Sequence, residues 1–562
     1  MRPAIPLTLL TIAFTAACGG TAFWDPWPPA TDDDSYDDGA GGATTVSTDN
    51  AASSADSSSS SSNGGSSATT STGGGSTGGA PTSVGLTEMD LGTIASDQQI
   101  PFEVPSNTLG FSAIVTAPGD FETLGVKSLV SPNQQKVVDN HSIDGTSWVF
   151  AWFGTTVAAV PQSDAASAMP EVMSGTWSIT LGNPYLSTAS GHLSIWLRQT
   201  DDGAFHGGVL DINVFLVEGV SSELYIEGFL EGAFLDYAGL GLGDVEFFTL
   251  GQEWGVLDGQ GVLEVLEQTS MASTSPALNM VVVSDLTGDL EDAAGVAAGI
   301  PGQGIEHGTH ASGVVMEILG DPQLDALVVR HEAGHLAGLF HTTEISPGYG
   351  DALSDTAKCS DVEALLFDCP DAVNIMFPVA GTYANQFSGM QKRVIHGSTQ
   401  YRGYANAAEA GANQAVQARS QRGGGLRAQT AVWSGWEDTV SRRARELMQS
   451  IWCADGRGVP FDPYRTLEHL GVDARALLTI GSNPSAPSYL RKRALRGIAR
   501  MNPSAEQLDA VAAIARDIAQ PRAVRMGALH GLRSDPMRSR DIARSLDGDG
   551  DAMVRQLATH LR

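Results

Sequence analysis

His331-Glu332-Ala333-Gly334-His335-Leu336-Ala337-Gly338-Leu339-Phe340-His341 is the stretch on which the reading of this chain turns. On a helix, residues four apart share a face, so His331 and His335 can present two imidazoles to one ion. Glu332, one step round, reaches a water held on that ion. Gly338 permits a left-handed turn that ends the helix and swings His341 in as third ligand. Three neutral ligands leave a fourth position for water, the arrangement of a catalytic rather than a structural Zn2+. The bland readings are a helix carrying surface histidines, or a zinc site that has decayed. The retained Glu332 speaks against the second.

The flanks agree with a helix. Asp321-Pro322 supplies a side-chain cap followed by proline at the first helical position. Leu324, Leu327 and Val328 lead into His331 and His335 at helical spacing, and Leu336, Leu339 and Phe340 follow. The helix is expected to be buried apart from its metal face.

Further on stands Asn374-Ile375-Met376-Phe377-Pro378. With it the chain resembles the metzincin metalloproteases, in which the extended zinc sequence is followed by a methionine turn. The resemblance implies that Met376 lies beneath the zinc, that Glu332 acts as general base and that the substrate is a protein or peptide. Gly350-Asp351-Ala352-Leu353-Ser354-Asp355-Thr356, then Cys359, Cys369-Pro370 and Asn374, is similar to pappalysin-like members. The resemblance covers roughly residues 205–397 and is specific at the two motifs only. One departure stands out: Pro378 occupies the place of the astacin-type tyrosine. Tyr383 follows, with no assigned role, and reads as a surface tyrosine.

Met1-Arg2 and the apolar run from Ile5 to Ala17 read as an export signal, too short to span a membrane. Thr15-Ala16-Ala17-Cys18 resembles a bacterial lipobox, which makes Cys18 the lipidated first residue. An ordinary signal peptide is the alternative. Lipid on Cys18 would hold the chain on the cell envelope, at the outer membrane or cell surface, without spanning it. Cys359 and Cys369 are expected to pair in a small loop disulfide, which export permits. Two free thiols or an additional metal site are the alternatives. Cys453 is left as a buried free thiol.

Length and charge divide the rest. At 562 residues, two or three domains are expected. The net charge of −32 is uneven: residues 1–400 hold 8 Lys+Arg against 48 Asp+Glu, and residues 401–562 hold 24 against 16. Acidity in the first part argues against nucleic acid and suits solubility or cationic substrates. The expected fold is multidomain. Residues 1–18 form the signal with its lipobox, and residues 19–83 a disordered Ser/Gly/Thr-rich linker. Residues 84–200 show short alternating runs (Leu109–Ala117, Ser147–Phe153, Trp177–Leu181, His192–Arg198) that suggest a β-sandwich accessory domain. Its His141 and His192 read as structural or exposed.

Residues 201–400 are the α/β (α+β) catalytic domain. Strands are expected at Val209–Val217, Val245–Leu250, Leu278–Ser284 and Ser312–Ile318, with a helix at Glu223–Tyr237. Ser312–Val315 is given the role of the antiparallel edge strand that pairs with extended substrate. Gly299–Gly304 is a loop and no phosphate cradle. His307 and His310 could bind a second metal, but a polar loop is the plainer reading. Asp351 and Asp355 could hold Ca2+, with solvated aspartates or a loop ion pair as the alternative.

Residues 401–562 are rich in Ala, Leu and Arg, with helical runs at Trp433–Trp452, Ser488–Met501, Ala505–Ala519, Arg522–Leu532 and Ala552–Leu561. Leu490-Arg491, Val524-Arg525 and Val554-Arg555 echo one another at about 34 and 30 residues, which resembles HEAT-like repeats. Stacked repeats offer a face for a protein partner, whereas a plain helical domain would simply pack on the catalytic part. Two function classes remain. One is a zinc endopeptidase. The other is a lipid-anchored binding or adhesion protein whose zinc is not catalytic.

Overall fold

The structure, a computed structural model, describes residues 85–117, 124–139, 154–163, 172–182, 190–269, 276–343, 350–359, 369–381, 384–411, 440–450, 452 and 462–562. Cys18, the linker 19–83, His141, Ser147–Phe153, Tyr383 and Cys453 lie outside these residues. The architecture is mixed α/β with sheets, followed by a helical C-terminal region. No helix among the described residues is long and apolar enough to cross a membrane.

The first eight strands are β1 (Leu86–Ala95), β2 (Gln99–Val104), β3 (Thr108–Thr116), β4 (Gly125–Val130), β5 (Lys136–Asp139), β6 (Thr155–Val160), β7 (Gly175–Gly182) and β8 (Ser190–Gln199). They form two antiparallel sheets, in the orders β1-β8-β3-β6 and β2-β7-β4-β5. Alternation explains them: in β7, Trp177, Ile179 and Leu181 are buried and the residues between them are not. One apolar cluster joins both sheets, with Phe111, Ile195 and Leu197 from the first and Phe102, Val126 and Ile179 from the second. Trp177 packs edge-on against Phe111 at 5.0 Å, and its indole N–H donates to the Met173 carbonyl at 2.7 Å.

The middle sheet holds β9 (Gly208–Val217), β10 (Leu240–Leu250), β12 (Leu278–Val283), β14 (Gly295–Ala297) and β15 (Val314–Glu317), in the order β10-β9-β12-β15-β14. β11 (Val256–Leu257) pairs separately with β13 (Asp285–Leu286), and β16 (Arg402–Gly403) pairs with β9. β12 is buried at every residue, the continuous apolar run of a parallel sheet. Between the strands lie α1 (Glu223–Ala233), α2 (Gly259–Gln268), α3 (Pro322–Leu336) and α4 (Gly389–Gly397).

Three expectations change here. α1 stops at Ala233, and Tyr237 instead forms a bridge to Leu240. α2 was not expected. The edge role given to Ser312–Val315 belongs elsewhere: β15 runs parallel to β12 and antiparallel to β14, so the antiparallel edge is Gly295–Ala297. A three-residue Gly-Val-Ala strand is too short and too small-sided to show a period of two.

The last region contains α5 (Arg442–Met448), α6 (Pro463–His469), α7 (Ala474–Ser482), α8 (Ser488–Gly497), α9 (Ala505–Arg516), α10 (Arg522–Gly531), α11 (Pro536–Ser545) and α12 (Ala552–His560). The 34-residue echo has a structural counterpart. Pro487 and Pro521 precede α8 and α10 with the same backbone angles. Arg491 Nε donates to the Gly481 carbonyl at 2.9 Å and Arg525 Nε to the Ala515 carbonyl at 3.1 Å, each reaching ten residues back. Arg555 departs from this, donating to Asp549 six residues back.

The helices share their core with the middle sheet: one apolar cluster runs from Leu210 to Ala558. Charge crosses the same boundary. Lys492 Nζ lies 2.6 Å from Asp285 and 2.8 Å from Glu317, Arg496 pairs with Asp285, and His530 Nε2 donates to Asp285 at 2.8 Å. All five side chains are buried. Burial alone would raise the Asp285 carboxyl, but Lys492, His530 and Arg496 outweigh it and hold it well below the usual carboxylate range. Burial pushes the His530 imidazole down, against the pull of the Asp285 carboxylate.

A carboxylate with a depressed folded pKa stabilises above its ordinary pKa, and the stabilisation is lost as pH falls through the folded value. Asp285→Asn leaves two buried cations short of a partner, and we expect it to cost about 3–5 kcal/mol at neutral pH. Urea denaturation measures this, with the difference from wild type shrinking below about pH 4. Equal midpoints at pH 7 would contradict it.

Candidate metal centre

α3 starts as its sequence implies. Asp321 accepts from the Gln323 and Leu324 N–H groups at 3.0 and 3.2 Å, and Pro322 takes the first turn. Asp325 ties the helix to its surroundings, accepting from the Tyr225 hydroxyl at 2.6 Å and from the Leu319 and Gly320 N–H groups. Burial pushes its carboxyl up to about 7, against the pull of those three donors. His331, Glu332 and His335 are all buried on this helix.

The helix ends at the glycine that the sequence marks. Gly338 has φ +105°; its N–H bonds to the His335 carbonyl at 2.9 Å, and the Leu339 N–H to the Gly334 carbonyl at 2.9 Å. This 5→2 and 6→1 pair is a Schellman motif. The chain then turns back and brings His341 to the helix face.

The three imidazoles converge. Nε2 of His331 lies 3.1 Å from Nε2 of His341 and 3.1 Å from Nε2 of His335, and the remaining pair is 3.2 Å apart. His331 Nδ1 faces the Ile375 carbonyl at 2.6 Å and His335 Nδ1 faces the Leu339 carbonyl at 2.7 Å. A carbonyl accepts only, so both Nδ1 atoms carry a proton, and in the neutral rings the Nε2 lone pairs turn toward the space that the three histidines share. Two acceptors at 3.1 Å in a buried place repel unless a cation lies between them. Nitrogens around a tetrahedral zinc at about 2.0–2.1 Å stand about 3.3–3.4 Å apart, so this trio fits such an ion. Among the described residues these three histidines are the one group of three or more His, Cys, Asp or Glu side chains close enough to share a metal ion.

The other expected residues fall as follows. Met376 is fully buried, and a Cβ on Gly334 would overlap its Sδ, so the thioether lies against the helix between the two histidine positions. Its turn is held by Asn374, whose Oδ1 accepts the Met376 N–H at 2.9 Å, while the Met376 carbonyl accepts from the Thr342 N–H at 3.1 Å. Glu332 packs against β14: a Cβ on Gly295 would come within 2.8 Å of its Cγ, and the Ala297 N–H bonds to its carboxyl. Burial pushes that carboxyl up to about 8. Cys359 and Cys369 form the expected disulfide, with Cα atoms 5.9 Å apart. Closing its ten-residue separation stabilises by about 2–3 kcal/mol.

His307 and His310 are not brought to the trio. His307 Nδ1 meets Asn279 and Ser312, and His310 meets the Leu263 carbonyl and Glu267. His192 lies beside Asp90 on the surface. Asp355 accepts from the Ser388 hydroxyl and the Met390 N–H at the start of α4. Asp351 is buried, accepts from Thr356, and donates its own N–H to the His341 carbonyl. Sequence reasoning missed the two carbonyls that set the histidine tautomers, because backbone acceptors leave no residue signature. It also missed Ser163, whose oxygen accepts the Phe340 N–H.

No family model matches this chain, and no curated protein does. Among solved structures, archaemetzincin from Methanopyrus kandleri is 15% identical, with 37% of this chain and 96% of that chain covered and a TM-score of 0.19. Metalloproteinase-II from Bacteroides fragilis is 10% identical, with 37% and 63% covered and a TM-score of 0.23. Scores of this size do not establish a shared fold, and the geometry above stands without them.

Gly338→Ala tests the turn. The nearest atoms to a new Cβ, on Pro301 and Val394, are 3.5 Å away, so the cost is backbone strain and not crowding. We expect a loss of about 1–3 kcal/mol in thermal unfolding; unchanged stability would mean the turn relaxes without its positive φ.

Proposed function

We propose that this chain is a zinc-dependent metalloendopeptidase of metzincin type, hydrolysing peptide bonds of extracytoplasmic proteins. The observation that carries it is the convergence of three imidazole Nε2 atoms, two of them with their protons fixed on Nδ1. His331, His335 and His341 would hold the zinc. Bound there, zinc supplies Lewis-acid polarisation of the scissile carbonyl and an acidified water. Glu332 takes the proton of the attacking water and returns it to the departing amine. β14 ends the sheet beside Glu332, and its backbone edge aligns an extended peptide by strand addition. Met376 and its turn keep the His331 ring in register through the Ile375 carbonyl.

The remaining parts are assigned on the same footing. Residues 1–18 direct export, with Cys18 as lipid anchor in a bacterial cell envelope, and residues 19–83 are the tether. Residues 84–200 form a β-sandwich accessory domain, supported by two sheets sharing one core. Residues 201–400 are the catalytic domain. Residues 401–562 form a HEAT-like domain, supported by the repeated Arg491 and Arg525 contacts, with a protein partner as its proposed ligand. Ca2+ would be taken by Asp351 and Asp355, since carboxylates in one loop suit that hard ion.

Glu332→Gln is the test. We expect kcat on a denatured-protein or peptide-library substrate to fall by about 10²–10⁴-fold, while zinc content stays at the wild-type level. Cleavage persisting in that variant, in material free of contaminating protease, would overturn the mechanism. Zinc bound tightly by wild type with no substrate cleaved would instead favour a binding or adhesion protein.

A further inference from the structure

Ser163 stands three residues beyond the end of β6, in the N-terminal β region, and is fully buried. All three of its polar groups go to the segment around the third histidine. Its N–H donates to the Gly338 carbonyl at 3.1 Å, its Oγ accepts the Phe340 N–H at 2.7 Å, and its carbonyl accepts the Ala352 N–H at 2.6 Å. The two stretches it holds are themselves joined through the ligand, because the His341 carbonyl accepts the Asp351 N–H at 2.8 Å. Ser163 therefore closes a backbone ring in which His341 is one member.

The three ligands differ in what else holds them. His331 and His335 ride on a capped helix that packs against β14 and β15. His341 lies past the helix end, on a turn whose direction depends on a glycine with positive φ. A ligand on such a turn loses geometry first when its backbone is free, and the groups that hold ligands set metal affinity.

We propose that Ser163 is a positioning residue for His341, so that the N-terminal β region completes the metal centre by fixing the turn that delivers the third ligand. This rests on the zinc reading of the histidine trio. The β region is on this view part of the site's construction and not a detachable attachment. Away from that turn the β region also docks on the middle region, where Arg198 donates to the Ser398 carbonyl and stacks over Tyr401 at 4.1 Å.

Zinc affinity of the full chain, measured by competition with a chromogenic chelator, tests the proposal without reference to activity. Ser163→Ala is expected to weaken zinc binding about 10–100-fold, while Ser163→Thr, which keeps the hydroxyl, stays within about threefold of wild type. Arg198→Met, which loosens docking without touching the turn, also stays within about threefold. In a His341→Ala background, Ser163→Ala adds less than about twofold, because its effect passes through the missing ligand. Should the alanine variant not fold, Ser163→Cys, a weaker acceptor, takes its place with the same ordering expected.

Wild-type affinity in Ser163→Ala, an undiminished effect in the His341→Ala background, or an equal loss in Arg198→Met would each overturn the role of Ser163 while leaving the zinc reading intact. A wild-type chain that takes up no zinc would remove the zinc reading and this role with it.

Discussion

Two backbone carbonyls, those of Ile375 and Leu339, decide the chemistry at the centre of this molecule. Each accepts a hydrogen bond from an imidazole Nδ1–H, so in the neutral rings His331 and His335 have lone pairs on Nε2 that face one another. A third nitrogen, from His341, comes within 3.2 Å of both. Two such lone pairs facing each other at 3.1 Å repel. The cost of holding such an arrangement in a buried place is repaid by a cation of borderline softness, which is what imidazole nitrogens select.

Much of the surrounding structure holds this arrangement. The Schellman end at Gly338 places the Leu339 carbonyl against His335 and turns the chain toward His341. The turn at Asn374–Met376 places the Ile375 carbonyl against His331 and seats the thioether where Gly334 leaves space for it. Gly334 is thus needed for its missing side chain, and Gly338 for its backbone angle. Further out, the middle sheet is joined to the helical region by a common apolar cluster and by the buried charges around Asp285. Glu317, in that charged group, ends β15, the strand that β14 pairs with on the side of Glu332. The helices are therefore continuous with the sheet that supports the centre.

What could be read in the sequence was what is local. The three histidines, Glu332, the Asp321-Pro322 start and the Gly338 stop lie within 21 residues and obey helix geometry, so their order alone implies their meeting. Met376 was legible through a motif, and Cys359 with Cys369 through proximity. In the β region, Leu109–Ala117, Trp177–Leu181 and His192–Arg198 were legible as short strand runs, and Leu278–Ser284 as a continuous apolar run. Other features left no trace. Gly295–Ala297 is three small residues with no pattern. Asp285 and Glu317 look like surface acids until Lys492 and Arg496, some 200 residues away, are seen to bury them. Ser163 is an unremarked serine whose partner Phe340 is 177 residues distant. Contacts of that range are set by tertiary packing, which a single sequence does not display.

The most direct measurement is anomalous diffraction from crystals of the full chain at the zinc absorption edge. The account predicts one peak enclosed by the Nε2 atoms of His331, His335 and His341 at about 2.0–2.1 Å, with no fourth protein ligand. Absence of a peak at the trio in zinc-replete crystals, or a fourth side chain closing the coordination, would contradict it.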